Sequence, residues 1–166
     1  MKQILGDLVL VTLFIYLPLT LLTPTVGWYR PGQLVFNDAP VGTAPEVSYY
    51  REIVVDSFIS YSVVVRNSEG EIMCDAIGGP FQYKAQAGIL AGKTLADWAP
   101  SDPRCGRLPV GEYVAETTWT IIRPLGDYLP EGFLRDVFGG ILPPKYVTRV
   151  SPVFHILPLE ETDNEG

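Results

Sequence analysis

From residue 47 onward, apolar and polar positions alternate with the two-residue period of β-strands rather than the 3.6-residue period of helices. Residues 47–56 are rich in Val, Ile and Tyr, and 58–66 place Ile59, Tyr61, Val63 and Val65 on one face. The turn sequence Asn67-Ser68-Glu69-Gly70 then leads into 71–74, which predicts an antiparallel hairpin. Residues 81–84 predict a short strand. Residues 85–98 are mixed in pattern, with one helical turn expected at 94–98 before Pro100 ends it. The strongest strand pattern is 111–122, where Tyr113, Ala115, Thr117, Trp119 and Ile121 share a face. A last strand is expected over 147–157, with Pro152 marking an edge or a bulge.

Other segments depart from this period. Residues 23–46 carry Pro24, Pro31, Pro40 and Pro45 with three glycines, which reads as an extended connector holding a short edge strand at 34–36. Pro130 opens, and Gly139-Gly140 close, a short amphipathic helix expected at about 130–138 inside a long loop. Residues 158–166 are acidic, lack any base and are expected to be disordered. Near the other end, residues 4–22 form an apolar run whose helix would be roughly 28 Å long at 1.5 Å per residue, enough to cross a bilayer once.

That run sets the expected topology. Residues 1–3, with Lys2, stay cytoplasmic; 4–22 anchor the chain in membrane lipid; and the sandwich of 47–157 lies outside, in periplasmic or extracellular space. Trp28, Tyr29 and Arg30 follow where rings and a snorkelling base suit a headgroup layer, and Asp7 is an intramembrane acid suited to a neighbouring helix. The alternative is a signal peptide removed after export, although 23–27 offers no Ala-x-Ala triplet.

Composition narrows the functional classes. The 166 residues are 47% apolar and 19% charged, and 12 bases against 19 acids give a net charge of −7. No basic stripe exists to neutralise phosphates, so nucleic acid is excluded as an expected partner. Several short strands with turn signals and little helix define an all-β, antiparallel sandwich preceded by one transmembrane helix. The segment Pro109-Val110-Gly111-Glu112-Tyr113-Val114-Ala115 resembles the turn-then-tyrosine entry into a late strand of immunoglobulin-like and fibronectin type III-like sandwiches. This resemblance implies their architecture only, because Ala115 stands where antibody domains have a cysteine.

Catalytic chemistry is sparse. Cys74 and Cys105, in an exported domain, are expected to form one disulfide. His155 is the only histidine, so no His-rich metal site or second imidazole base exists, and it is expected to be structural. No phosphate loop, nucleophile elbow or zinc motif is present, and no cofactor or metal is expected. The loop acids Asp75, Asp97 and Asp102 offer one alternative, a carboxylate-based hydrolase. The apolar residues Phe133, Leu134, Val137, Phe138, Ile141 and Leu142 offer a partner or membrane surface. The expected function is a non-catalytic structural or protein-binding subunit of a membrane or envelope assembly. The rival binding role is a secreted sandwich for carbohydrate or protein.

Overall fold

A computed structural model describes residues 6, 10, 14, 24–122 and 144–159. Nine strands form two sheets: β1 (Tyr29–Phe36), β2 (Ala39–Pro40), β3 (Glu46–Ile53), β4 (Ser57–Asn67), β5 (Ile72–Tyr83), β6 (Gln86–Thr94), β7 (Gly111–Ile122), β8 (Lys145–Val150) and β9 (Phe154–Leu157). The smaller sheet runs β1-β3-β6; the larger runs β2-β9-β7-β4-β5, with β8 also paired to β7. All these ladders are antiparallel except β2 on β9.

The hairpin expected at 67–70 joins β4 to β5. Asn67 Oδ1 accepts from the amides of Glu69 and Glu71, while Gly70 takes φ +83°, a conformation costly for residues with a Cβ. Residues 72–83 form one strand rather than two pieces, because bulges in β5 at Met73 and at Gly79-Pro80 absorb the irregular pattern. Pro152 interrupts the last strand rather than marking an edge or a bulge within it. Residues 151–153 break the last strand into β8, beside the C-terminal half of β7, and β9, beside its start.

The inward faces meet in one core. The smaller sheet contributes Tyr29, Leu34, Phe36, Val47, Tyr49 and Ile53; the larger contributes Ile59, Val63, Val65, Tyr113, Ala115, Thr117, Trp119, Ile121 and Phe154. Ring contacts cross the gap: Tyr49 stacks on Trp119 at 5.1 Å, Tyr29 lies 6.0 Å from Trp119, and Phe36 stacks on Phe154 at 5.1 Å. Burying such side chains is worth roughly 1.5–3 kcal/mol each, so these pairs decide how the sheets align.

Two expectations change here. The connector expected at 23–46 is part of the sandwich, since β1 pairs with β3 and buries Tyr29, Leu34 and Phe36, while Ala39 in β2 adds to the core beside β9. The membrane anchor, with the single-pass topology and membrane localisation built on it, is corrected. Among the described residues no helix is long and apolar enough to cross a membrane. The segment 4–22 lies outside the described residues apart from Gly6, Leu10 and Phe14, and Asp7 lies outside them as well. The sequence carries a physical reason: Asp7 and Pro18 bound the stretch 8–17, itself interrupted by Thr12 and half of the ~20 residues a spanning helix needs.

Candidate functional site

The mouth of the sandwich between β5 and β6 combines an aromatic recess with a strand edge that, among the described residues, has no further partner. The recess has a volume of about 210 Å³. Tyr49 and Trp119 lie deepest in it, each nearly free of solvent. Trp98 forms a wall, edge-on to Tyr49 at 5.4 Å and to Tyr61 at 5.7 Å. Phe81 and Tyr83, on β5, form the opposite lip and meet edge to face at 6.3 Å.

Trp98 is positioned by a helical turn, α1 (Leu95–Trp98), which forms as 94–98 predicts. Thr94 Oγ1 accepts from the Asp97 amide at 3.2 Å, and Asp97 Oδ2 accepts from the Thr94 amide at 2.9 Å, a reciprocal capping box. Those bonds from Thr94 hold the Asp97 carboxyl below its ordinary range. Tyr61 Oη donates to the Trp98 carbonyl at 2.7 Å and ties the turn to β4. Burial raises the phenols of Tyr49 and Tyr61 above their usual range, so both are neutral donors.

Two cations line the same recess. Arg51 stacks its guanidinium over the Tyr83 ring at 4.4 Å, and Lys93 projects from β6. Among the described residues neither forms a salt bridge. Tyr49 Oη and Trp98 Nε1 are buried without a hydrogen-bond partner, as are Tyr29 Oη and Thr117 Oγ1 deeper in the core. An unmade buried hydrogen bond costs about 1–3 kcal/mol, so this end of the core holds unused polar capacity.

β6 is the strand that pattern reading missed. Gly88, Gly92 and the alanines have low strand propensity, and the extra residue of a bulge near Gly92, at φ +71°, breaks the alternation. Its strand character comes from pairing with β3, a partner over 30 residues away in sequence. The other sheet margins are blunted: β1 by Pro31 and a bulge, β2 by its two-residue length and Pro40, β5 by Pro80, and β8 by the charged Lys145 and Arg149. On β6 the run 86–90 has neither charge nor proline, and Ile89 is 72% exposed.

The expected disulfide is present. Cys74 on β5 joins Cys105 in the 3-10 turn Pro103–Gly106, with both residues fully buried and Cα atoms 5.3 Å apart. Asp102 sets up that turn. Its Oδ1 accepts from the Arg104 amide at 3.0 Å, and its Oδ2 accepts from Arg104 Nη2 at 2.7 Å and from the Asp75 amide at 3.0 Å. The bonds from Arg104, then the backbone amides, pull its carboxyl down to about 2. Of the three loop acids, Asp75 and Asp102 therefore converge on Arg104, while Asp97 caps α1. None of the three is left as a free pair across a cleft.

Trp28 and Tyr29 are core residues rather than headgroup contacts. Trp28 is 3% exposed with the Lys145 ammonium 4.7 Å from its ring, and Tyr29 is 1% exposed. Arg30 reaches Glu52 with Nη1 3.0 Å from both carboxylate oxygens, an ion pair across the β1–β3 ladder. His155 is half-exposed on β9, its amide donating to Asp38 Oδ1 at 2.7 Å, with Nε2 3.7 Å from Glu112 Oε1. Phe133, Leu134, Val137, Phe138, Ile141 and Leu142, with the helix expected at 130–138, lie outside the described residues, as does the tail from residue 160. Among the described residues, no three His, Cys, Asp or Glu side chains are grouped to hold a metal ion. No known protein family matches the chain, and no protein of curated function matches it in sequence.

Proposed function

We propose that the chain is a non-catalytic, protein-binding sandwich of the immunoglobulin or fibronectin type III kind, which recruits its partner by strand addition to β6. The unprotected run 86–90 carries this reading. An edge strand without proline or charge offers a row of free amides and carbonyls, and a partner strand satisfies them while its alternate side chains face the aromatic recess or the exposed Ile89.

The fold assignment is supported by strand order. β1, β3 and β6 follow the order of strands A, B and E, and β5, β4, β7 and β8/β9 follow C′, C, F and G. Tyr113, at the start of β7, bonds back to the chain as the tyrosine corner of such domains does. The disulfide joins different positions from the antibody bridge, so the likeness is one of architecture. A non-catalytic role is favoured because the loop acids are spent on capping and on Arg104.

Affinity capture with the full chain and with an Ala87→Lys/Ile89→Lys variant, quantified by mass spectrometry, tests the reading. Both residues are exposed, so the variant keeps the core while placing charge on the edge. A stoichiometric protein held by the parent and lost by the variant is expected. Equal recovery by both, or no stoichiometric protein with either, overturns it.

A further inference from the structure

We infer that the aromatic recess is a binding site for a single acidic sugar unit, a six-membered ring of the uronic acid class. Three independent features point to this chemistry. The first is size. About 210 Å³ lies below the ~300–1,000 Å³ of sites for larger ligands, so one ring fits and an extended chain does not.

The second is charge. The protein carries −7 overall, yet this recess presents Arg51 and Lys93 without salt-bridge partners. The one carboxylate beside them, Asp97, accepts from Thr94 N and Thr94 Oγ1, both at 2.9 Å, and its charge offsets part of that of Lys93, which leaves the recess with one cation in excess. A ligand carboxylate supplies that remaining counter-charge, and a charge-assisted bond is the stronger kind. A neutral ring lacks that anchor.

The third is the unused polar capacity among aromatic walls. Tyr49 Oη and Trp98 Nε1 have no partner, although both residues line the recess. These atoms are closed to solvent, so ring hydroxyls become acceptors for them only once the Tyr49 and Trp98 side chains shift to admit the ring, while the C–H face of a sugar packs on the exposed Phe81 and on Tyr83. A purely aromatic carboxylate satisfies the charge and leaves the donors unmet. This separates the acidic sugar from an aromatic acid of equal size.

The test is a titration of the full chain with D-glucuronate, followed by the indole N–H resonance of Trp98, with D-glucose and phenylacetate as controls. A saturable shift with glucuronate is expected, with glucose and phenylacetate each weaker by about tenfold or more. Lys93 is exposed, so Lys93→Gln is expected to keep the parent's melting temperature while weakening glucuronate by about tenfold. The Ala87→Lys/Ile89→Lys variant leaves the lining intact and adds positive charge beside Arg51, so it is expected to bind glucuronate at least as tightly as the parent, which separates this site from the strand-addition reading. The inference is overturned by the absence of a saturable shift, by glucose or phenylacetate matching glucuronate, or by full affinity in Lys93→Gln.

Discussion

Tyr113 donates its phenolic hydrogen to the carbonyl of Pro109 at 2.7 Å, four residues back, and so fixes the entry of the chain into β7. The ring is buried against Phe154 at 5.8 Å, and β7 is the strand on which β4, β8 and β9 all pair. Tyr113→Phe removes the bond and keeps the ring. A loss of about 1–2 kcal/mol is expected, read as a lower urea midpoint with an unchanged slope.

The Asp102 carboxyl couples stability to acid. Its pKa in the folded protein, about 2, is depressed below the ordinary 3.8, so its contribution is full above about pH 4 and is lost as pH falls toward 2. Melting temperature measured from pH 6 to pH 2 should fall most steeply in that lower window for the parent. Asp102→Asn, which cannot ionise, should lie below the parent at pH 6 and converge with it near pH 2.

Reducing the Cys74–Cys105 bridge releases a loop with a sequence separation of 31. In the chain-entropy account this costs roughly 3–4 kcal/mol. A Cys74→Ala/Cys105→Ala protein should show that drop in denaturant melts and should be insensitive to added thiol, whereas the parent should respond to it.

Two glycines on consecutive strands of different sheets should behave oppositely. A Cβ on Gly78 meets the Tyr61 ring, which cannot move without releasing the Trp98 carbonyl, whereas a Cβ on Gly88 meets nothing within 4 Å. Gly78→Ala is expected to lose about 2 kcal/mol or more by overpacking and to shift the Trp98 indole resonance. Gly88→Ala should be neutral or slightly stabilising, because alanine restricts the unfolded chain. Thermal melts and one proton spectrum of each variant check both.

Pattern reading works here where burial on one face imposes a strict two-residue period. Tyr113, Ala115, Thr117, Trp119 and Ile121 alternate on β7, and all five are buried. The disulfide was legible because two cysteines permit one pairing. The order of strands was not, since β3 must find β6 and β7 must find β9 across long stretches of chain. The edge strand expected at 34–36 is the second half of β1, whose first half is masked in the pattern by Pro31 and a bulge, and Trp28 and Tyr29 suit a membrane interface as well as a core because they are aromatic residues after an apolar run. Six of the ten residues lining the recess are aromatics scattered along the sequence. Arg51 and Lys93 belong to no motif, and only the β3–β6 ladder brings them to the same recess.

The parallel contact of β2 with β9 has a bearing on how the protein is made. Ala39 pairs with Ile156, and Asp38 accepts from the His155 amide across 117 residues. Translation supplies one half of that clasp long before the other. Until residue 157 has cleared the ribosome, β7 lacks its neighbour at Gly111–Tyr113 and the rings of Phe36 and Tyr113 have no Phe154 to cover them. The nascent chain must therefore keep these apolar surfaces from other molecules until β9 emerges, and only then does the sandwich close as a unit.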